Sequence, residues 1–295
     1  MYDIPYIWLS LHEKYLLKCL KETFMQPTFN ADELKARFNP EGSLLRHQQM
    51  IMLDMASELD RICKKHGIPY FLYGGTLLGA IRHNGFIPWD DDFDAGLMRK
   101  DYLRLLEVLP HELPDHIALQ SNDTDKNYFY FFAKLRHRHS LLEEKCTYDQ
   151  VFAERGIFID IFPFERMRLW THLVAEPLQG HTFKIFRTAA DRSSAMRKIK
   201  AITWTNRHIT FPMLRLISKA TLGSTLTYDY GIPFHLVYDE KDIFPLTTHE
   251  FEGLQLSVPG NSHEMLRKQF GDYMQLPNLD HLDSHTSKLE IYRDK

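Results

Sequence analysis

Apolar residues recur at every third or fourth position between Leu44 and His66, with Ile51, Met55, Leu59 and Ile62 along one stripe. That period collects side chains on one face of a helix, so a single helix is predicted across the whole span. Gly67 falls where a left-handed C-cap belongs, and Pro69 follows as a stop. Tyr70-Phe71-Leu72-Tyr73 is a run of β-formers that ends at Gly74-Gly75, which reads as a strand entering a tight turn. Further along, the pattern predicts a short helix over Thr76–Arg82, a strand over Phe93–Leu97 and an amphipathic helix over Asp101–Leu109. Two buried strands are expected over Tyr128–Leu135 and Gly156–Phe162. Residues 1–40 read as helical pieces broken at Pro27. Beyond Pro233, the short groups Asp242-Ile243-Phe244-Pro245 and Phe270-Gly271-Asp272-Tyr273 read as loops packed back on the core.

Charge changes this picture in one place. From Arg166 to Lys219 there are eleven Lys or Arg against two acids, Glu176 and Asp191, in a chain whose net charge is −3. Apolar spacing there is mostly helical. The chain therefore divides into an N-terminal helical segment (1–43), a core (44–165), a basic helical subdomain (166–232) and a C-terminal segment packing on the core (233–295). Trp170, Phe183, Phe186, Trp204 and Phe211 interleave with the cations. Such a segment suits docking on an anionic membrane surface or a lipid-linked anionic glycan, or it is a helical subdomain with a solvated cationic face. The overall charge excludes a general nucleic-acid binder.

Composition adds bounds. A chain of 295 residues with 44% hydrophobic and 25% charged positions folds around a core of its own. Cys19, Cys63 and Cys146 are odd in number and far apart, which points to a reduced, cytoplasmic protein. Met1 to Ser10 lacks the basic and apolar regions of a signal peptide. The longest uncharged apolar stretch, Ile68 to Ile81, has 14 residues and is broken by Pro69 and three glycines, too short for a membrane-spanning helix.

Candidate chemistry concentrates between Gly74 and Asp94. A Gly-Gly pair after a strand lets backbone amides approach phosphate oxygens, helped by a following helix N-terminus and by the Thr76 hydroxyl. A plain turn needing positive φ is the simpler alternative. In Trp89-Asp90-Asp91-Asp92-Phe93-Asp94, alternation on a strand points Asp92 and Asp94 the same way and Phe93 into the core. Two adjacent carboxylates repel unless a cation lies between them, and all-oxygen ligands suit Mg2+, with Mn2+ as a substitute. An EF-hand reading fails at Ala95 and Asp101, where glycine and glutamate belong. Asp160, within Gly156-Ile157-Phe158-Ile159-Asp160-Ile161-Phe162-Pro163-Phe164, is a costly carboxylate unless paired or metal-bound. It is either a strand-end aspartate on backbone donors or a third metal ligand. Lys134 and Arg136 alternate on one strand face, as a clamp for a diphosphate or as surface charge. Arg82 is a further phosphate ligand, and His83 takes a structural role. Trp89, Tyr128 and Tyr130 offer faces for a quaternary ammonium, although the aromatic run Tyr128–Phe132 reads first as core.

Taken together, these residues resemble the LicD family, which includes bacterial choline-phosphate transferases and, more remotely, fukutin and fukutin-related protein. The resemblance rests on Tyr73–Asp94, Ala133-Lys134-Leu135-Arg136 and Gly156–Phe164, and resumes at Asp242–Leu246, Phe251-Glu252-Gly253 and Phe270–Met274. It implies an α/β (α+β) fold: a nucleotidyltransferase-like mixed sheet flanked by helices, here with a helical basic insert. It also implies an enzyme that moves a phosphoryl-alcohol, phosphocholine foremost, from CDP-choline or a related CDP-alcohol. The acceptor is a sugar hydroxyl of lipopolysaccharide, teichoic acid or capsule. Gly74 and Gly75 would hold donor phosphates, Asp92, Asp94 and Asp160 the metal, and Asp90 or Asp91 the acceptor's proton. A nucleotidyltransferase that makes a CDP-alcohol from CTP, or a non-catalytic nucleotide- or glycan-binding relative, are the alternatives.

Overall fold

The computed structural model describes residues 30–234, 236–280, 282 and 286–292. The Pro27 region lies outside them, and α1 (Ala31–Phe38) is the first described helix. The expected long helix is α2 (Leu44–His66). Ser43 Oγ accepts the Arg46 amide at its start, and Gly67 closes it at φ 58°, ψ 42°. Met52, Met55, Leu59 and Ile62 are its buried stripe, with Ile51 at the edge. Each such side chain contributes about 1.5–3 kcal/mol relative to exposure.

The core is a mixed sheet, six-stranded among the described residues, in the order β1-β2-β6-β4-β3, with β7 also on β6. The strands are β1 (Phe71–Leu72), β2 (Asp94–Met98), β3 (Ile117–Gln120), β4 (Ala133–His137), β6 (Phe158–Met167) and β7 (Thr225–Tyr228). β2 runs parallel to β6, and the other pairs are antiparallel. Between them come α3 (Gly74–His83), α4 (Arg99–Glu112) and β5 (Ser140–Glu144). β6 is apolar and buried through its first seven residues, the pattern of a central strand covered on both faces. Asp160 is the exception.

Three expectations are corrected. Tyr128–Phe132 is not strand, and regular pairing starts only at Ala133. Side chains satisfy the backbone there instead: Asn122 Nδ2 donates to the Tyr128 carbonyl at 2.9 Å and Gln179 Nε2 to the Phe129 carbonyl at 2.6 Å. Tyr128 and Phe129 fill a second apolar cluster with Phe152, Phe186 and Ile199. Secondly, the tail beyond 233 is more regular than a set of loops. It contains α8 (Glu240–Ile243), the hairpin β8 (Thr247–Phe251) and β9 (Leu254–Val258), α9 (Ser262–Phe270) and β10 (Thr286–Ile291), which pairs with β5. The hairpin turns through Glu252 and Gly253, both at positive φ, and Glu-Gly is not among the dipeptides that signal such a turn. Thirdly, the helical stretch does not extend to residue 232, because β7 returns to the central sheet.

The insert consists of α5 (Leu169–Thr188), α6 (Arg192–Thr205), a π turn (Asn206–Thr210) and α7 (Phe211–Ala220). Asp229, just after β7, fastens it to the sheet. Its carboxylate accepts from Arg99 Nε at 3.0 Å and from Arg215 Nη2 of α7 at 2.7 Å.

Candidate active site

The Gly-Gly pair starts α3 itself, rather than preceding it. Gly74 has φ +58°, a conformation costly for any residue with a side chain. A Cβ on Gly74 would stand 2.7 Å from Asp94 Oδ2, and one on Gly75 would stand 2.8 Å from Asp90 Oδ2. The glycines therefore admit two carboxylates against the helix start, beside first-turn amides that have no acceptor within the helix. Thr76 Oγ1 accepts the Asp94 amide at 2.8 Å, tying α3 to β2.

Strand register does the rest. Asp94 of β2 is opposite Asp160 of β6, and Asp160 is opposite Lys134 of β4. Three side chains thus form a row across three adjacent strands. Lys134 Nζ lies 2.8 Å from Asp160 Oδ1 and 3.3 Å from the centre of the Phe158 ring. Burial pushes the Asp160 carboxyl up to about 6, with Lys134 pulling against it. Asp94 is pushed well above the usual carboxylate range, first by burial and then by Asp92, Asp160 and Asp90. Asp90 is raised likewise, by burial and by Asp92 and Asp91. Such crowding of negative charge raises carboxyl pKa values until a cation relieves it.

Other residues singled out from the sequence sit elsewhere. Arg136 is fully buried, donating to Gln120 Oε1 at 2.8 Å and the Gly156 carbonyl at 2.9 Å, so it braces the sheet rather than lining the cavity. Arg82 turns to the tail, donating to the Tyr273 carbonyl at 2.8 Å. Asp91 Oδ2 accepts the Thr286 amide at 2.9 Å. Trp89 meets Phe38 edge-on, and Tyr128 is sealed in the second cluster. Helix phase and strand alternation say which face a residue takes, not which neighbour occupies that face, and each of these groups found a partner distant in sequence.

The loop that carries Asp90–Asp92 is held from residues the sequence did not flag. Gln48 Nε2 donates to the Asp91 carbonyl at 2.7 Å, and Gln49 Nε2 to the Asp90 carbonyl at 3.0 Å. Both glutamines are buried. Arg46 pairs with Glu252 at 2.7 Å, and Glu252 Oε1 accepts the Phe86 amide. Two adjacent glutamines on the core side of an amphipathic helix were the available signal. Nearby, His83 Nε2 accepts from Arg82 Nε at 3.0 Å. Burial, then the Arg82 charge, drives the His83 ring down to about 3. A histidine neutral when folded but protonated when unfolded loses stability as pH falls below about 6.5, by about 1.4 kcal/mol per unit, down to its folded value. His83→Gln is therefore expected to flatten the fall in melting temperature between pH 6.5 and pH 4. An unchanged pH slope would contradict this.

Over the row opens a cavity of about 550 Å³. Its lining includes Gly74, Gly75, Asp92, Asp94, Asp160 and Lys134, together with the aromatic side chains of Tyr130, Phe132, Phe162, Phe183, Tyr228 and Phe234 and the carboxylate of Glu144. The aromatics apart from Tyr130 were not singled out as site residues from the sequence, because they reach the cavity from the segment before β4, from β6, α5 and β7, and from the segment after β7. Among the described residues, no three His, Cys, Asp or Glu side chains are arranged to hold a metal ion by themselves. The donor set nevertheless fits Mg2+. That ion uses one or two protein carboxylates and takes its remaining oxygens from water and phosphate, and Asp92 and Asp94 both border the cavity.

Residues 67–186 match the family described as LicD/FKTN/FKRP, nucleotidyltransferase domain. The chain is 29% identical to the lipopolysaccharide cholinephosphotransferase LicD of Haemophilus influenzae, over 79% of this chain and 92% of that protein. It is 41% identical to an uncharacterized protein of Rickettsia prowazekii over 80 residues, covering 27% of this chain and 29% of that one. A 35-residue stretch is 54% identical to human ribitol 5-phosphate transferase FKRP, covering 12% and 7% of the two chains. The matched stretch contains the Gly-Gly helix start, both aspartate strands and the Lys134 strand, and over residues 67–186 the chain is similar to the LicD family.

Proposed function

We propose that the chain transfers phosphocholine from CDP-choline to a sugar hydroxyl of a cell-surface glycan, at the cytoplasmic side of the membrane. The observation that carries this reading is one cavity with a carboxylate–lysine–glycine floor and an aromatic wall. The floor suits a diphosphate, and the wall suits a trimethylammonium group, which binds over aromatic faces. Glu144 adds a negative charge to that wall. The H. influenzae relative is named a cholinephosphotransferase acting on lipopolysaccharide.

In the reaction, the acceptor oxygen attacks the phosphorus that bears choline. The bond from that phosphorus to the bridging oxygen breaks, and CMP leaves with the bond's electrons. Lys134 Nζ and the first-turn amides of α3 hold non-bridging oxygens. Mg2+ held by Asp92 and Asp94 together with donor phosphate would supply neutralisation of phosphate charge, with Asp160 behind them paired to Lys134 at 2.8 Å. Asp90, beside Gly75 and Asp92, would take up the acceptor's proton as a carboxylate once a bound cation relieves the crowding of negative charge. Tyr130, Phe132 and Phe162 orient the choline end.

The test is product analysis with CDP-choline, Mg2+ and purified glycan. CMP release with a phosphocholine mass added to the glycan is the expected result. Pyrophosphate release from CTP and phosphocholine would instead make the chain a nucleotidyltransferase. Phe132→Ala is expected to raise KM for CDP-choline by on the order of tenfold, with a smaller change for CDP-glycerol, because loss of a cation–π partner costs about 1–2 kcal/mol. Equal effects on both donors would remove the aromatic wall from choline recognition.

A further inference from the structure

α5 is amphipathic in the reverse of the usual sense. Its buried positions are Thr171, His172, Ala175, Gln179, Thr182 and Phe186. Thr171 bonds Tyr230, His172 bonds the Phe234 carbonyl and Gln179 bonds the Phe129 carbonyl. Its outward stripe is apolar: Trp170, Leu173, Val174 and Leu178 are each between 39% and 50% exposed. A helix normally turns its apolar stripe to the core. On α7 and the turn before it, Ile209, Met213, Leu216 and Ile217 recur at helical spacing and are also exposed, Leu216 at 69%. The two helices are in contact: the Arg168 guanidinium just before α5 donates to the Thr221 carbonyl just after α7, and Ala175 shares a small apolar cluster with Phe211 and Leu214. Ten of the seventeen large hydrophobic residues exposed among the described residues fall between Trp170 and Leu222. An apolar surface so concentrated marks an interaction site.

We infer that this face of α5 and α7 docks the protein on an anionic lipid bilayer. Charge selects lipid over a second copy of the chain. Exposed Lys184, Arg187, Arg197, Lys198 and Lys200 surround the insert without an ion-pair partner among the described residues. A second copy would bring the same cations and repel, whereas anionic headgroups neutralise them. Trp170 suits the headgroup level. No helix among the described residues is long and apolar enough to cross a membrane, so the helices lie along the surface. The docked geometry serves the cavity directly. Phe183 of α5 lines it, and Phe234, bonded to His172 of α5, forms part of its wall. An acceptor held at the membrane surface would thus reach the cavity without leaving the interface. The docking itself does not depend on which group is transferred.

The full chain should co-sediment with phosphatidylglycerol-containing vesicles, and less with pure phosphatidylcholine vesicles or at high salt. The pair Leu173→Glu and Leu216→Glu removes two exposed apolar contacts and adds negative charge, so it should weaken vesicle binding by at least on the order of tenfold. Turnover of a soluble acceptor fragment and the melting temperature should stay unchanged, since both sites are exposed and away from the cavity lining. Equal pelleting of the wild type with and without anionic lipid, or undiminished pelleting of the double variant, overturns the inference. A wild-type dimer that the double variant converts to monomer, with no vesicle binding by either, assigns the face to a second copy and overturns it too.

Discussion

Asp94→Asn is expected to cut CMP release from CDP-choline by at least on the order of a hundredfold while leaving the melting temperature unchanged or higher. The activity loss follows from position. Asp94 is central to the charge cluster, opposite Asp160 in the strand register and beside the Gly74 start of α3. Losing a group that holds a phosphate-neutralising cation costs several kcal/mol of transition-state stabilisation. The stability gain has the opposite origin. Burial and three neighbouring aspartates push the Asp94 carboxyl well up, so its charge strains the folded state when no cation is bound. An isosteric amide removes that strain and leaves the Thr76–Asp94 amide bond intact. Calorimetry and a CMP assay on the same preparation check both halves. A near-normal rate would remove Asp94 from the chemistry, and a large drop in melting temperature would make it a structural residue.

Lys134→Met is expected to lower both stability and turnover, and the two losses should separate on adding Asp160→Asn. Lys134 is 2% exposed and pairs with Asp160 at 2.8 Å. Removing one partner of a buried pair leaves the other charge uncompensated, at about 3–5 kcal/mol. That loss should shrink on acidification toward pH 6 and below, because a protonated Asp160 needs no counter-charge and its carboxyl already sits at about 6. The double variant should regain most of the stability, since no lone charge remains. Its turnover should stay low, because both the diphosphate contact and the carboxylate are gone. Denaturant melts at pH 8 and pH 5.5 measure the first claim. Recovered turnover in the double variant would limit Lys134 to a structural counter-ion.

The local elements were legible in the chain because their causes are local. α2 came with its apolar period and its Gly67 stop, and the structure matches them and adds the Ser43 cap. β6 and β2 were recognisable from apolar runs, and the carboxylates interrupting them drew attention because a charge in a buried strand demands a reason. The β8–β9 hairpin and β10 were missed, since their strands are short and half exposed and their turn uses a poor turn dipeptide. Tyr128–Phe132 was misread because an aromatic run favours a strand only if neighbouring strands supply hydrogen bonds. Here Asn122 and Gln179 supplied them instead.

By itself, the sequence determined the mixed α/β elements, a short helix close behind the Gly-Gly pair, the candidacy of Asp92, Asp94, Asp160 and Lys134 as site residues, and the basic character of residues 166–219. Each follows from residue type, spacing or local charge. Only the tertiary structure decided that Asp94, Asp160 and Lys134 form one row, that Arg82 and Arg136 serve as braces, that Gln48 and Gln49 hold the acidic loop, and that α5 turns its apolar side outward. Those outcomes depend on strand register and on contacts between segments up to two hundred residues apart, and such pairing is set by what packs best across the whole molecule, which no local pattern encodes.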